Sequence, residues 1–192
     1  MKQKHVRVNN NYNFSYCRLL GKGHNGEVYK LPSGEAIKVS YNDYAFVGEC
    51  NILERVNGNR YFPEVYQVGK DYIIRECADG EVLSKYIRKN GMSEELACRI
   101  IDLLKEFYKL KFKKIDIRCR DIIVQPDGQL KVIDPKKCYS RERDFPRHLS
   151  KGLYKLGVLD FFIEVLKGYD EKLYKMWSGK INRYIESKKK VM

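Results

Sequence analysis

Between Lys114 and Pro135 the chain reads KIDIRCRDIIVQPDGQLKVIDP, where three aspartates, Asp116, Asp121 and Asp134, flank short apolar runs. Ile122 to Val124 and Leu130 to Asp134 have the composition of two short strands, and Pro126-Asp127-Gly128 is a turn between them. Such a hairpin would carry Asp121 at one end and Asp134 at the other. A carboxylate costs several kcal/mol to desolvate unless a cation compensates it. Carboxylates clustered by apolar strands therefore suit a hard cation with oxygen ligands, most simply Mg²⁺. Solvated loop aspartates are the plainer alternative for any one of them taken alone.

Upstream, YCRLLGKGHNGEVYKLPSGEAIKVS (residues 16–40) sets Gly21, Gly23 and Gly26 in a G-x-G-x-x-G spacing, with a turn at Pro32-Ser33-Gly34. A dinucleotide fold would need a helix after the glycines. Here Val28 and Ala36-Ile37-Lys38-Val39 alternate around a turn, so the expectation is a β-hairpin. Glycines in such a hairpin let backbone N–H groups approach phosphate oxygens with no Cβ in the way. Lys38, between Ile37 and Val39, falls on a half-buried strand, where a lysine needs an anionic partner unless its head snorkels to water.

That partner is at hand. In the segment from Phe46 to Val56, the apolar residues Phe46, Ile52, Leu53 and Val56 follow helical spacing, and Glu49 lies on the same stripe while Glu54 and Arg55 lie off it. Lys38 and Glu49 are expected to form an ion pair that holds the lysine toward a nucleotide's phosphates.

The order of glycine-rich hairpin, strand lysine, helix glutamate and three downstream aspartates resembles the protein kinase superfamily. The resemblance runs from about Cys17 to Asp134. It implies that GKGHNGEV, with Gly21, Lys22, Gly23, Gly26 and Val28, covers the ATP phosphates, that Ala36 and Lys38 belong to the strand bearing the phosphate-binding lysine, and that Glu49 is its partner. Residues 72–80 look like the strand and hinge that receive adenine through the backbone of Glu76 and Ala78. Asp116 takes the place of the family's catalytic aspartate, which accepts or orients the acceptor hydroxyl's proton. Asp121 replaces the magnesium-binding asparagine, and Asp134 matches the aspartate of the DFG triplet, so both would hold Mg²⁺. Arg118 sits where the family often has a lysine reaching toward the transferred phosphate.

The departures from the family carry information too. Lys114-Ile115 replaces the His-Arg of HRD, so the arginine that pairs with a phosphorylated activation loop is missing. The third aspartate is followed by Pro135-Lys136, and a proline there removes a backbone donor and restricts the segment. No APE triplet follows, and the platform on which typical protein kinases dock a peptide is mostly absent. The truncation resembles RIO-type and other compact microbial kinases. Arg75 stands where an apolar residue usually lies behind adenine; buried there it needs a carboxylate or phosphate partner, and a small register shift would turn it outward instead.

The remaining elements fit this frame. The implied class is α+β, a two-lobed kinase-like fold with an antiparallel N-lobe sheet and one helix over residues 1–79, a linker at 80–84 and a reduced α-helical C-lobe over 85–192. Ser93-Glu94-Glu95 has the form of a helix start, with Leu96, Ile100, Leu103, Leu104, Phe107 and Tyr108 on one face. A last apolar helix is expected from Leu153 through Leu166, with Trp177 packed beneath it. The six cysteines form no C-x-x-C pair and read as reduced packing thiols, Cys119 being the one placed to react. The polar start from Met1 to Arg7 has no signal-peptide character, no apolar run is long enough to span a bilayer, and a cytoplasmic protein is expected. A basic tail, Lys188-Lys189-Lys190, ends the pattern.

The formal net charge is +13, and residues 105–155 hold fifteen Lys or Arg against seven Asp or Glu. A positive field attracts acidic proteins, nucleic acid or anionic small molecules, or it is simply a solvated face. The expected activity is transfer of the γ-phosphate of Mg²⁺·ATP to a protein serine or threonine hydroxyl, by an atypical kinase without the RD pair. A small-molecule kinase of aminoglycoside phosphotransferase type, a nucleotide-binding pseudokinase and a nucleic-acid-binding module are the alternatives.

Overall fold

The computed structural model describes residues 14–189; the polar stretch from Met1 to Arg7 and Lys190 of the basic tail lie outside the described residues. The described residues divide into two compact units, one ending at Cys77 and the other beginning at Ala78.

The first unit is a five-stranded antiparallel sheet with one α-helix. Its strands are β1 (Arg18–Gly23), β2 (Gly26–Lys30), β3 (Ala36–Ser40), β4 (Val65–Val68) and β5 (Tyr72–Arg75), in the order β1-β2-β3-β5-β4. Helix α1 (Asp43–Arg55) starts at Asn42, whose side chain accepts the Ala45 N–H, and packs on β3 and β4. The period-two alternation of β3 divides its side chains between two cores. Ile37 and Val39 join Leu31 and Ile74 on one face, while the other face, under α1, buries Ile73 against Phe46, Cys50 and Leu53. Lys38 pairs with Ile73 and Ala36 with Arg75 in the β3·β5 register, so Lys38 and Arg75 share the α1 side with Ile73.

The second unit is mostly helical. A three-stranded antiparallel sheet of β6 (Glu81–Val82), β7 (Ile122–Val124) and β8 (Leu130–Val132) accompanies α2 (Leu83–Asn90), α3 (Glu94–Lys109), α4 (Arg147–Lys155), α5 (Leu159–Tyr169) and α6 (Glu171–Lys189). The β7–β8 hairpin turns at residues 125–129, as the Pro-Asp-Gly sequence requires, with Gly128 at φ 78°. Helix α3 is capped by the Ser93 hydroxyl, which accepts the Leu96 N–H, and buries Leu96, Ile100, Leu103, Leu104 and Phe107. The mixed α+β architecture, with its N-terminal antiparallel sheet and six α-helices among the described residues, is compatible with a kinase-like fold.

One expectation is corrected. The apolar run from Leu153 to Leu166 is two helices, α4 and α5, broken at residues 156–158, where Gly157 takes φ 73°. Helical spacing survives a one-residue left-handed stop, so periodicity alone did not show the break. Trp177 is fully buried in α6, and its indole N–H donates to the Asp144 carbonyl (3.1 Å) and to the Tyr108 hydroxyl (3.3 Å). All six cysteines are free. Burial pushes the Cys119 thiol up to about 12, so it is a packing group and not a nucleophile at neutral pH. No helix among the described residues is long and apolar enough to cross a membrane.

Candidate functional site

In the first unit the strand lysine and the helix glutamate meet. Lys38 Nζ donates to Glu49 Oε2, and their side chains are 10% and 6% exposed. Arg75 also enters this cluster: its Nη1 lies 3.8 Å from Glu49 Oε1, and its side chain is 5% exposed. The guanidinium therefore faces a carboxylate from inside the unit, and the outward alternative is not adopted. At 3.8 Å the contact is electrostatic and not a hydrogen bond, and neither of these two atoms has another hydrogen-bond partner. Two buried cations share one buried anion.

The glycine hairpin has unequal members. A Cβ on Gly26 would lie 2.0 Å from the Val39 carbonyl oxygen, so this glycine permits the close β2–β3 approach. A Cβ on Gly21 would meet nothing within 4 Å, and on Gly23 only the Gly26 carbonyl at 3.8 Å, which leaves their backbone open to a ligand. Lys22 stands opposite Glu27 across the hairpin and pairs with it at 2.6 Å. The Tyr29 hydroxyl donates to the same carboxylate at 2.7 Å. Hydrogen bonds from Lys22 first, then from Tyr29 and Tyr41, hold the Glu27 carboxyl down at about 2. Val28 pairs with Lys38 in the next strand, and Ala36 is buried beside it. Glu76 donates its backbone N–H to the Glu64 carbonyl at 2.8 Å, and Ala78 opens the second unit.

In the second unit the three aspartates take different partners. Among the described residues no three His, Cys, Asp or Glu side chains gather as a metal-binding set. Asp121 and Asp134 do come together. The 3-10 turn Cys119–Asp121 places the first at the start of β7, and the Ile133 N–H donates to the Asp121 carbonyl (2.9 Å), drawing the end of β8 alongside. Both carboxylates close on Arg118, which donates through Nε (2.5 Å) and Nη2 (3.0 Å) to Asp121 and through Nη2 to Asp134 (3.4 Å). Lys136 adds a 2.7 Å ion pair to Asp134. Burial raises the Asp121 carboxyl above its ordinary value even though Arg118 opposes the shift. Two hard carboxylates that share the Arg118 guanidinium are a donor set that fits Mg²⁺, which commonly takes one or two carboxylates and fills its other positions with water and phosphate oxygens.

Asp116 has no exposed side-chain surface, and its charge also acts on the Arg118 guanidinium. Backbone bonds from Lys114 to the Cys138 carbonyl (3.1 Å) and from Ile115 to the Arg143 carbonyl (2.6 Å) lash its segment to the chain that leads into α4. Asp116 Oδ1 accepts the His148 N–H (2.7 Å) and the Leu149 N–H (3.4 Å), and Oδ2 meets His148 Nδ1. Gly152 makes this approach possible, because a Cβ there would stand 2.5 Å from Cys119 Sγ. Sequence reasoning did not find His148, which is far from Asp116 in the chain and lies in no recognisable motif. Lys136 and Glu27 carried no signal beyond their charge.

No family model matches the chain. Over 122 residues it is 28% identical to a Bacillus subtilis (strain 168) protein named "Putative serine/threonine-protein kinase YrzF". The match covers 60% of this chain and 57% of that protein, so the chain spans little more than half the length of its curated relative. The chain is thus distantly similar to a protein named as a kinase, and its architecture is compatible with that likeness.

Proposed function

We propose that the protein is an ATP-dependent phosphotransferase that moves the γ-phosphate to a protein serine or threonine hydroxyl. The observation that carries this reading is the buried Lys38–Glu49 ion pair on β3 and α1, where the motif order had placed a phosphate-binding lysine and its partner. The convergence of Asp121 and Asp134 on one cation supports it, as does the distant kinase-named relative.

In this reading Lys38, fixed by Glu49, neutralises phosphate charge, and the open backbone at Gly21 and Gly23 lies along the phosphates. Lys22, Gly26, Val28 and Ala36 shape the same nucleotide-binding surface, and the backbones of Glu76 and Ala78 serve adenine. Asp121 and Asp134 would hold Mg²⁺, which when bound would supply the charge neutralisation that phosphoryl transfer needs. Arg118 moves from the two carboxylates toward the transferred phosphate, and Asp116 governs the acceptor's proton. Residues 1–79 and 85–192 then act as the two lobes of one kinase-like domain in the cytoplasm. The basic stretch 105–155 favours an acidic acceptor protein.

Incubation with γ-labelled Mg²⁺·ATP and a generic acceptor protein tests this, with Asp134→Asn as control. Label with wild type and none with the variant is expected. Nucleotide-induced stabilisation without label favours a second reading, a nucleotide-binding pseudokinase. The Arg118 guanidinium lodged on both candidate metal ligands is the observation behind it.

A further inference from the structure

We infer that the group receiving the acceptor hydroxyl's proton is His148, with Asp116 as the residue that positions it; this rests on the phosphotransfer reading above. Asp116 has no exposed side-chain surface, and both its oxygens are engaged, Oδ1 by the backbone N–H groups of His148 and Leu149 and Oδ2 by the His148 ring. A carboxylate so enclosed has no oxygen left to meet a substrate hydroxyl. The other end of the pair is open, since the His148 side chain is 37% exposed.

The tautomer follows from the hydrogen-bond network. With Oδ2 as the acceptor, the neutral imidazole carries its proton on Nδ1 and its lone pair on Nε2. Nε2 has no partner among the described residues. A buried carboxylate that fixes the imidazole tautomer and compensates the imidazolium once it forms is a general device for making histidine a base. Bracing the start of α4 would need only the two backbone N–H groups; the ring contact adds an orientation that the brace does not use.

The step balances without another reagent. The acceptor oxygen forms its bond to the γ-phosphorus as its proton passes to His148 Nε2. The bond from that phosphorus to the bridging oxygen breaks, and ADP leaves with the electron pair. The imidazolium then returns its proton to solvent. His148 is the catalytic residue of this scheme, and Asp116 acts through it.

Phosphotransfer by wild type, His148→Gln and His148→Ala decides the matter, with melting temperature and nucleotide-induced stabilisation measured on each full-length chain. Both variants keep the backbone N–H that Asp116 accepts, so near-wild-type melting is expected. kcat should fall about 10²- to 10⁴-fold with KM for ATP nearly unchanged. Imidazole in the buffer should restore part of the loss in His148→Ala and none in wild type. Wild-type kcat in His148→Ala overturns the inference and leaves the phosphotransfer reading standing. So does a loss that imidazole does not relieve and that tracks a lowered melting temperature. A wild type with no turnover on any acceptor removes both.

Discussion

Arg75 reaches the Glu49 carboxylate from β5 while Lys38 holds it from β3, so one buried anion on α1 serves two buried cations. The arrangement makes the three residues unequal. Removing Glu49 takes the shared carboxylate from both cations, and Glu49→Gln is expected to cost about 3–5 kcal/mol. Arg75→Met leaves the Lys38–Glu49 pair in place and fills the space with an apolar chain, so it should change stability by less than about 1.5 kcal/mol. Urea unfolding midpoints of the two variants check the asymmetry.

The same geometry lets the lysine be deleted cleanly. In Lys38→Ala, Glu49 still faces Arg75, so the chain is expected to fold with a melting temperature close to wild type while phosphotransfer falls by at least about 10²-fold, the usual scale for losing a charge stabiliser. Calorimetry beside a labelled-phosphate assay distinguishes this from simple unfolding.

Arg118 competes with a divalent cation for Asp121 and Asp134. A charge-assisted hydrogen bond contributes about 1.5–3 kcal/mol, so Arg118→Ala should tighten Mn²⁺ binding to the nucleotide-free protein by about tenfold or more. Asp121→Asn should cancel that gain. Titration followed by electron paramagnetic resonance of free Mn²⁺ reads both.

Glu27 gives the glycine hairpin an acid-sensitive brace. Its carboxyl titrates at about 2 in the fold against an ordinary value of 4.5. A depressed carboxyl favours the folded state when ionised, so its contribution is complete above about pH 4.5 and disappears as pH falls toward 2. Stability measured across that window should decline less in Glu27→Gln than in wild type.

Gly152 sets how closely α4 approaches the segment carrying Asp116. Gly152→Ala would drive a methyl into the Cys119 sulfur, and an overpacked core contact costs typically about 1–3 kcal/mol. Cys119→Ala removes the obstacle, so the double variant should recover most of the loss in a thermodynamic cycle read by denaturant unfolding.

The sequence by itself determined the features that depend on local periodicity. The two-residue alternation of Ala36 to Val39 put Lys38 opposite the Ile37–Val39 core, and the 3.6-residue stripe of α1 turned Glu49 the same way as Phe46 and Leu53. Their ion pair was therefore legible, as were the β7–β8 hairpin around its Pro-Asp-Gly turn and the Ser93 cap of α3. Only the tertiary structure decided which charges share a neighbourhood. Spacing set Asp116 near Asp121 but did not show the start of α4 as its partner, which backbone bonds to residues 138 and 143 bring to it. Arg75 turned inward because β5 pairs with β3 in a register that sets it beside Glu49. A periodic pattern fixes the face on which a side chain lies. Its partner across a core is chosen by contacts between segments tens of residues apart, and those depend on how the chain closes as a whole.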